Sequence, residues 1–121
     1  MHALLLIAHG SRRKKSNDEV CKLSKKIIKN NNGEFDIFLC SFLELAEPLI
    51  PDAINDLISQ GATKITIFPY FLAAGLHVAE DIPEEINKAK NIYPNVEFHT
   101  LPHLGVIDEM PNLILSQIHK H

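Results

Sequence analysis

Cysteine is scarce: Cys21 and Cys40 are the only two among 121 residues and form no CxxC pair. That excludes a disulfide framework or a zinc knuckle and suits buried free thiols in a reducing cytoplasm. Long hydrophobic runs are missing too. The early run Ala3 to Ala8 is too short for a signal-peptide core or a membrane span and has no cationic segment before it, so a cytoplasmic protein is expected. Five glycines and seven prolines are too few for a collagen-like or low-complexity chain. With 12 Lys and Arg against 15 Asp and Glu, the net charge of -3 gives no overall attraction to nucleic acid or an anionic membrane. Any anion site must be local. Neither GxxxxGK nor GxGxxG occurs, so no nucleotide-phosphate loop is expected.

What is present is 45% hydrophobic and 22% charged residues, the balance of a soluble globular domain. The length predicts one domain over residues 1–121 with a radius of gyration of roughly 14 Å. One copy has little room to surround a large ligand.

Ala3 to Ala8 reads as a strand buried on both faces and closed by His9-Gly10-Ser11. Val20, Leu23, Ile27 and Ile28 then recur at helical spacing between Ser16 and about Asn31, where an Asn-Asn-Asn-Gly cluster stops the helix. Phe35 to Phe42 is a second strand. Ile50, Ile54, Leu57 and Ile58 share one face of a helix that has Pro51 in an early position and Gly61 as its C-terminal cap. Lys64 to Pro69 is the third strand, and a long connection from Tyr70 to Glu80 is expected after it. A third helix follows, with Asp81 as N-cap and Pro83 in its first turn. Val96 to Leu101 is a fourth strand, and Val106, Met110, Leu113, Ile114 and Ile118 mark a closing amphipathic helix. Four β-α units predict an α/β fold with a four-stranded parallel sheet flanked by helices. Ligands of such sheets bind at the carboxyl ends of the strands.

Those ends carry the chemistry. His9 terminates the first strand, and Gly10 lets the chain turn into the basic run Arg12, Arg13, Lys14 and Lys15. Four cations near a helix start oppose its dipole at a cost of some tenths of a kcal/mol each, which an anionic ligand would offset. A structural turn with a solvated basic run is the plain alternative. Glu44 stands nearest the end of the second strand, where it can share an edge with His9 or remain a solvated acid. The third connection is apolar where loops are ordinarily polar, so it covers something hydrophobic or meets another chain. His77 is its single imidazole. A core histidine bonded to a carbonyl competes there with a functional one. Two neutral imidazoles and a carboxylate are a usual ligand set for a divalent transition metal. His103, after the fourth strand, has no second residue supporting a role.

These segments resemble a known family. The strand ending in AHGSR (Ala8 to Arg12), FLExxxP (Phe42 to Pro48) and PYFLxxGxHVxxDIP (Pro69 to Pro83) look like the small class II tetrapyrrole chelatases, the sirohydrochlorin chelatases of the CbiX/SirB type. The resemblance implies insertion of a divalent metal, cobalt foremost with iron or nickel as options, into sirohydrochlorin without ATP. The route served would be cobalamin, siroheme or nickel-tetrapyrrole formation. By motif, His9 and His77 would be the metal-binding and proton-accepting pair, and Glu44 the third metal-side group. Ser11, Arg12, Arg13 and Lys14 would meet the carboxylates of the substrate.

Larger chelatases of this class are two-lobed, so a chain of one lobe's length is expected to pair as a homodimer through the apolar segment Tyr70 to Val78. Two other readings remain. A non-catalytic metal or tetrapyrrole carrier would use the same histidines. A phosphohistidine-type phosphatase is disfavoured because Ala8 stands where that motif has arginine.

Overall fold

A computed structural model describes the backbone of residues 1–121 and every side chain except that of His77. Four parallel strands, β1 (His2–Ala8), β2 (Ile37–Phe42), β3 (Lys64–Pro69) and β4 (Glu97–Thr100), lie in the order β2-β1-β3-β4. Helices α1 (Lys14–Lys29), α2 (Ile50–Ser59) and α3 (Leu76–Ile92) connect them, and a short 3-10 turn (Leu104–Val106) leads into α4 (Met110–Lys120). The expected α/β class and parallel sheet are present.

The pattern of burial explains the layering. β1 is central and pairs on both edges, so its run from Ala3 to Ala8 is buried throughout. Ala3, Leu5 and Ile7 face the larger core with Ile50, Ala53, Ile54 and Leu57 of α2 and Val78, Ile82, Ile86 and Ala89 of α3. Leu6 and Ala8 face the opposite side, with Cys40, Phe42 and, from α1, Val20 and Cys21. Each fully buried Leu or Ile contributes about 1.5–3 kcal/mol through removal from water, so α2 is held chiefly by this stripe. Pro51 lies in the first turn of α2, and Gly61 follows its end at φ 110°, as expected of a C-terminal cap.

Two expectations are corrected. The helix predicted to start at Asp81 begins at Leu76, so the connection after β3 is much shorter than Tyr70 to Glu80, and His77 falls in the first turn of α3. Pro83 is interior to this helix rather than in its first turn. Val78 lies four residues before Ile82 and both are buried, so the apolar stripe continues one turn further back and favours helix there. Pro83 itself is exposed, where water can satisfy the carbonyl that its missing N–H leaves unbonded.

The closing helix forms, but it starts at Met110 and leaves Val106, expected on it, in the 3-10 turn before it, and none of its residues is buried. Every residue from 111 to 120 is exposed, and Leu113, Ile114 and Ile118 are 55%, 53% and 62% accessible. No described helix is long and apolar enough to cross a membrane.

Candidate active site at the carboxyl edge of the sheet

The ends of β1 and β2 stay paired beyond the strands themselves. Leu43 N–H donates to the carbonyl of Ala8 at 3.0 Å, and Glu44 N–H to that of His9 at 3.2 Å. This extension sets the side chains of His9 and Glu44 next to each other: Nε2 of His9 lies 3.1 Å from Oε1 of Glu44. A carboxylate only accepts, so the imidazole donates. Both side chains are about half exposed, at 50% and 53%. They face the open edge rather than the core.

Gly10 makes this approach possible. Its φ is 95°, and a Cβ there would overlap the carbonyl oxygen of Glu44. The turn after β2 is tight as well, with Leu45 at φ 65°, an uncommon conformation for a branched residue.

The basic run is fastened beside this pair. Ser11 N–H donates to Oδ1 of Asn17 at 3.0 Å, and Nδ2 of Asn17 returns a bond to the Ser11 carbonyl at 2.8 Å. Ser11 Oγ accepts from Arg13 N–H at 3.0 Å. Arg12, Arg13, Lys14 and Lys15 are all exposed. The first turn of α1 contains no acidic residue and its N-cap, Arg13, supplies no side-chain bond, so the positive end of the dipole and four cations point the same way. Sequence reasoning missed Asn17. Its signal is a lone amide one turn inside a helix that has no Ser, Thr or Asp cap.

An apolar hollow of about 420 Å³ opens where β3 and β4 end, lined in part by Pro69, Val78, Ile82, Leu101 and His103. His103, for which the sequence offered no second support, stands in its wall. On the segment expected to meet another chain, Leu72 and Leu76 are 71% and 76% exposed, an apolar lip at the entry to α3. His77 belongs to the same edge by its backbone position in the first turn of α3, while its side chain lies outside the described residues. Among the described residues, no three His, Cys, Asp or Glu side chains converge on one point.

Away from the edge, both cysteines are free. Burial and then the neighbouring thiol of Cys21 push Cys40 up to about 12, partly opposed by a hydrogen bond from Ser24.

Known proteins resemble this chain in sequence and in fold. The family model CbiX matches residues 3–121. The sirohydrochlorin ferrochelatase of Priestia megaterium is 36% identical over 120 residues, 99% of this chain and 44% of the relative. The sirohydrochlorin cobaltochelatase of Methanococcus aeolicus is 45% identical over 84 residues, 69% of this chain and 57% of the relative. The chain thus spans about half the length of these curated relatives. The crystal structure of a CbiX protein from Marinobacter aquaeolei VT8 superimposes with a TM-score of 0.85 at 25% identity, covering 99% of this chain and 96% of that one. With the family model spanning nearly its whole length, the chain belongs to the CbiX family.

Proposed function

We propose that this chain is a sirohydrochlorin chelatase that inserts a divalent metal, cobalt foremost and iron or nickel as alternatives, without a nucleotide cofactor. The observation that carries the reading is the 3.1 Å approach of His9 Nε2 to Glu44 Oε1 on an open strand edge. An imidazole nitrogen and a carboxylate oxygen are usual ligands of a divalent transition metal. Lying side by side on an open edge, the pair can turn to an arriving cation once the shared proton leaves, with the ion's remaining positions open to macrocycle nitrogens.

Insertion exchanges one divalent ion for two pyrrole N–H protons. Histidine is suited to accept such protons near neutral pH, and His9 and His77 are assigned that task. Ser11, Arg12, Arg13 and Lys14 meet the substrate's carboxylates, for which guanidinium forks and ammonium groups are apt partners. The apolar hollow beside Val78 and His103 gives a flat ring a dry wall.

Residues 1–121 act as one lobe of a facing homodimer in the cytoplasm, with Leu72 and Leu76 at the contact. The test is an anaerobic assay of the purified chain with sirohydrochlorin and cobalt, iron or nickel in turn, followed by macrocycle absorbance. Metal-dependent acceleration is expected. No rate above the uncatalysed one with any metal would favour the carrier reading.

A further inference from the structure

His103 is held firmly by its backbone while its side chain bonds to nothing. The residue follows β4 and is half-buried, and among the described residues its imidazole has no hydrogen bond, ion pair or ring contact. Leu101 N–H donates to the carbonyl of Ile67 at 2.9 Å, which carries the pairing of β3 and β4 past Thr100, and Val106 N–H donates to the carbonyl of His103 itself at 3.2 Å. Gly105 N–H donates to the carbonyl of Phe71 at 3.0 Å, and a Cβ at Gly105 would overlap the Leu72 carbonyl. The turn after β4 is thus clamped on the connection between β3 and α3. A group fixed in this way before a ligand arrives loses little freedom when it binds one.

The surroundings decide what such a group can take. The hollow of about 420 Å³ that His103 lines has walls from the early turns of α3, Val78, Ala79 and Ile82, and from the end of β4, Leu101 and Pro102. Among the described residues that line it, His103 is the one titratable side chain. Apolar walls suit the edge of a flat ring, but a carboxylate arm of that ring gives up water there and needs a donor in return. A neutral imidazole carries one N–H in either tautomer, and its bond to a carboxylate is stronger against an apolar wall than in water. His9 ends β1 and His103 follows β4, with β3 between the two strands, so the residues stand about two strand spacings, roughly 10 Å, apart along the edge. α1, whose start carries the basic run, packs on β1 and β2. A ring lying over His9 therefore meets the basic run on one flank and His103 on the other.

We propose that His103 is a substrate-binding residue: its imidazole N–H donates to a carboxylate arm of the tetrapyrrole, whose ring edge lies in the apolar hollow. Two strands away from His9 and Glu44, it holds the margin of the ring and not the metal. Together with the basic run it fixes the ring's rotation over His9, because arms on two opposite flanks are gripped at once. This contact rests on the reading of the chain as a sirohydrochlorin chelatase and names the donor on the flank that the basic run does not occupy.

The test uses the full chain and metal-free sirohydrochlorin, with binding followed by the fluorescence of the tetrapyrrole. His103→Leu should raise Kd about tenfold, the scale of a lost hydrogen bond to a charged group, while far-UV circular dichroism stays unchanged. His103→Asn and His103→Gln place an amide N–H near the positions of Nδ1 and Nε2, and at least one of them should recover to within roughly threefold of the unmodified chain. In the insertion assay the loss in His103→Leu should appear in KM and not in kcat. Cobalt titrated alone should bind all three variants as it binds the unmodified chain. Equal Kd values for the unmodified chain and His103→Leu overturn the contact, and so does a loss shared equally by all three variants. Weaker cobalt binding in His103→Leu would make the residue a metal ligand and overturn it as well. An unmodified chain that binds no sirohydrochlorin overturns the chelatase reading itself.

Discussion

His9 and Glu44 are 35 residues apart in sequence and touch at 3.1 Å, each at the end of one of two neighbouring parallel strands. Because both side chains are half exposed, replacing either removes chemistry without opening the core. His9→Ala should lower the initial rate of metal insertion by about 100-fold or more, the scale of a lost proton acceptor. Circular dichroism should be unchanged. The same loss is expected of His77→Ala. Wild-type rates in both variants would refute the assignment.

Gly10→Ala attacks the same pair through the backbone. The new methyl would meet the Glu44 carbonyl at a φ of 95°, so the variant should lose more than about 2 kcal/mol of stability. Urea unfolding measures this. The activity remaining under folding conditions should also fall, because Glu44 must move.

Arg12→Ala and Arg13→Ala should raise KM for the tetrapyrrole with little change in kcat, as expected for groups that hold carboxylates equally in ground and transition states. Steady-state rates at varied substrate decide it. A fall in kcat at constant KM would place these residues in the chemical step.

Cys40 should resist thiol reagents in the folded protein. Its proton is held up to about 12, first by burial and then by Cys21, so at pH 8 almost no thiolate is available. Ellman's reagent should titrate no more than Cys21 in native protein and both thiols in urea. The sign also sets an alkaline limit: the folded state keeps this proton more tightly than the unfolded one, so stability is lost as pH rises from about 9.0 toward 12.

Pro83→Ala should stabilise the protein by about 1 kcal/mol, since it restores an N–H inside α3 on the solvent side. Thermal unfolding of the two proteins is the comparison. A drop in Tm would mean that the proline ring contributes to packing at the hollow it lines.

That same proline marks where the sequence stopped being legible. β1 and α2 could be read directly, because a continuous apolar run and a stripe from Ile50 to Leu57 are set by burial alone. The start of α3 was hidden by Pro83, a residue that ordinarily opens helices, although Val78 continued the spacing of Ile82 and Ile86. His9 and Glu44 could each be placed at a strand end by pattern. Their contact depends on strand register past Ala8 and on the tight turn at Leu45, neither of which has a periodic signature. The amphipathic stripe of α4 was visible, but a stripe tells that a face will be covered and not by what.

The central position of β1 has a consequence for biosynthesis. This strand precedes both of its neighbours in the chain, yet one of its edges stays unpaired until residues 64–69 have been made. Until then Leu4 to Ile7 present an apolar strand with free backbone groups, the kind of segment that captures other chains. Weakening substitutions in β3 should therefore appear first as poor recovery of soluble protein, before any change in the properties of the molecules that do fold.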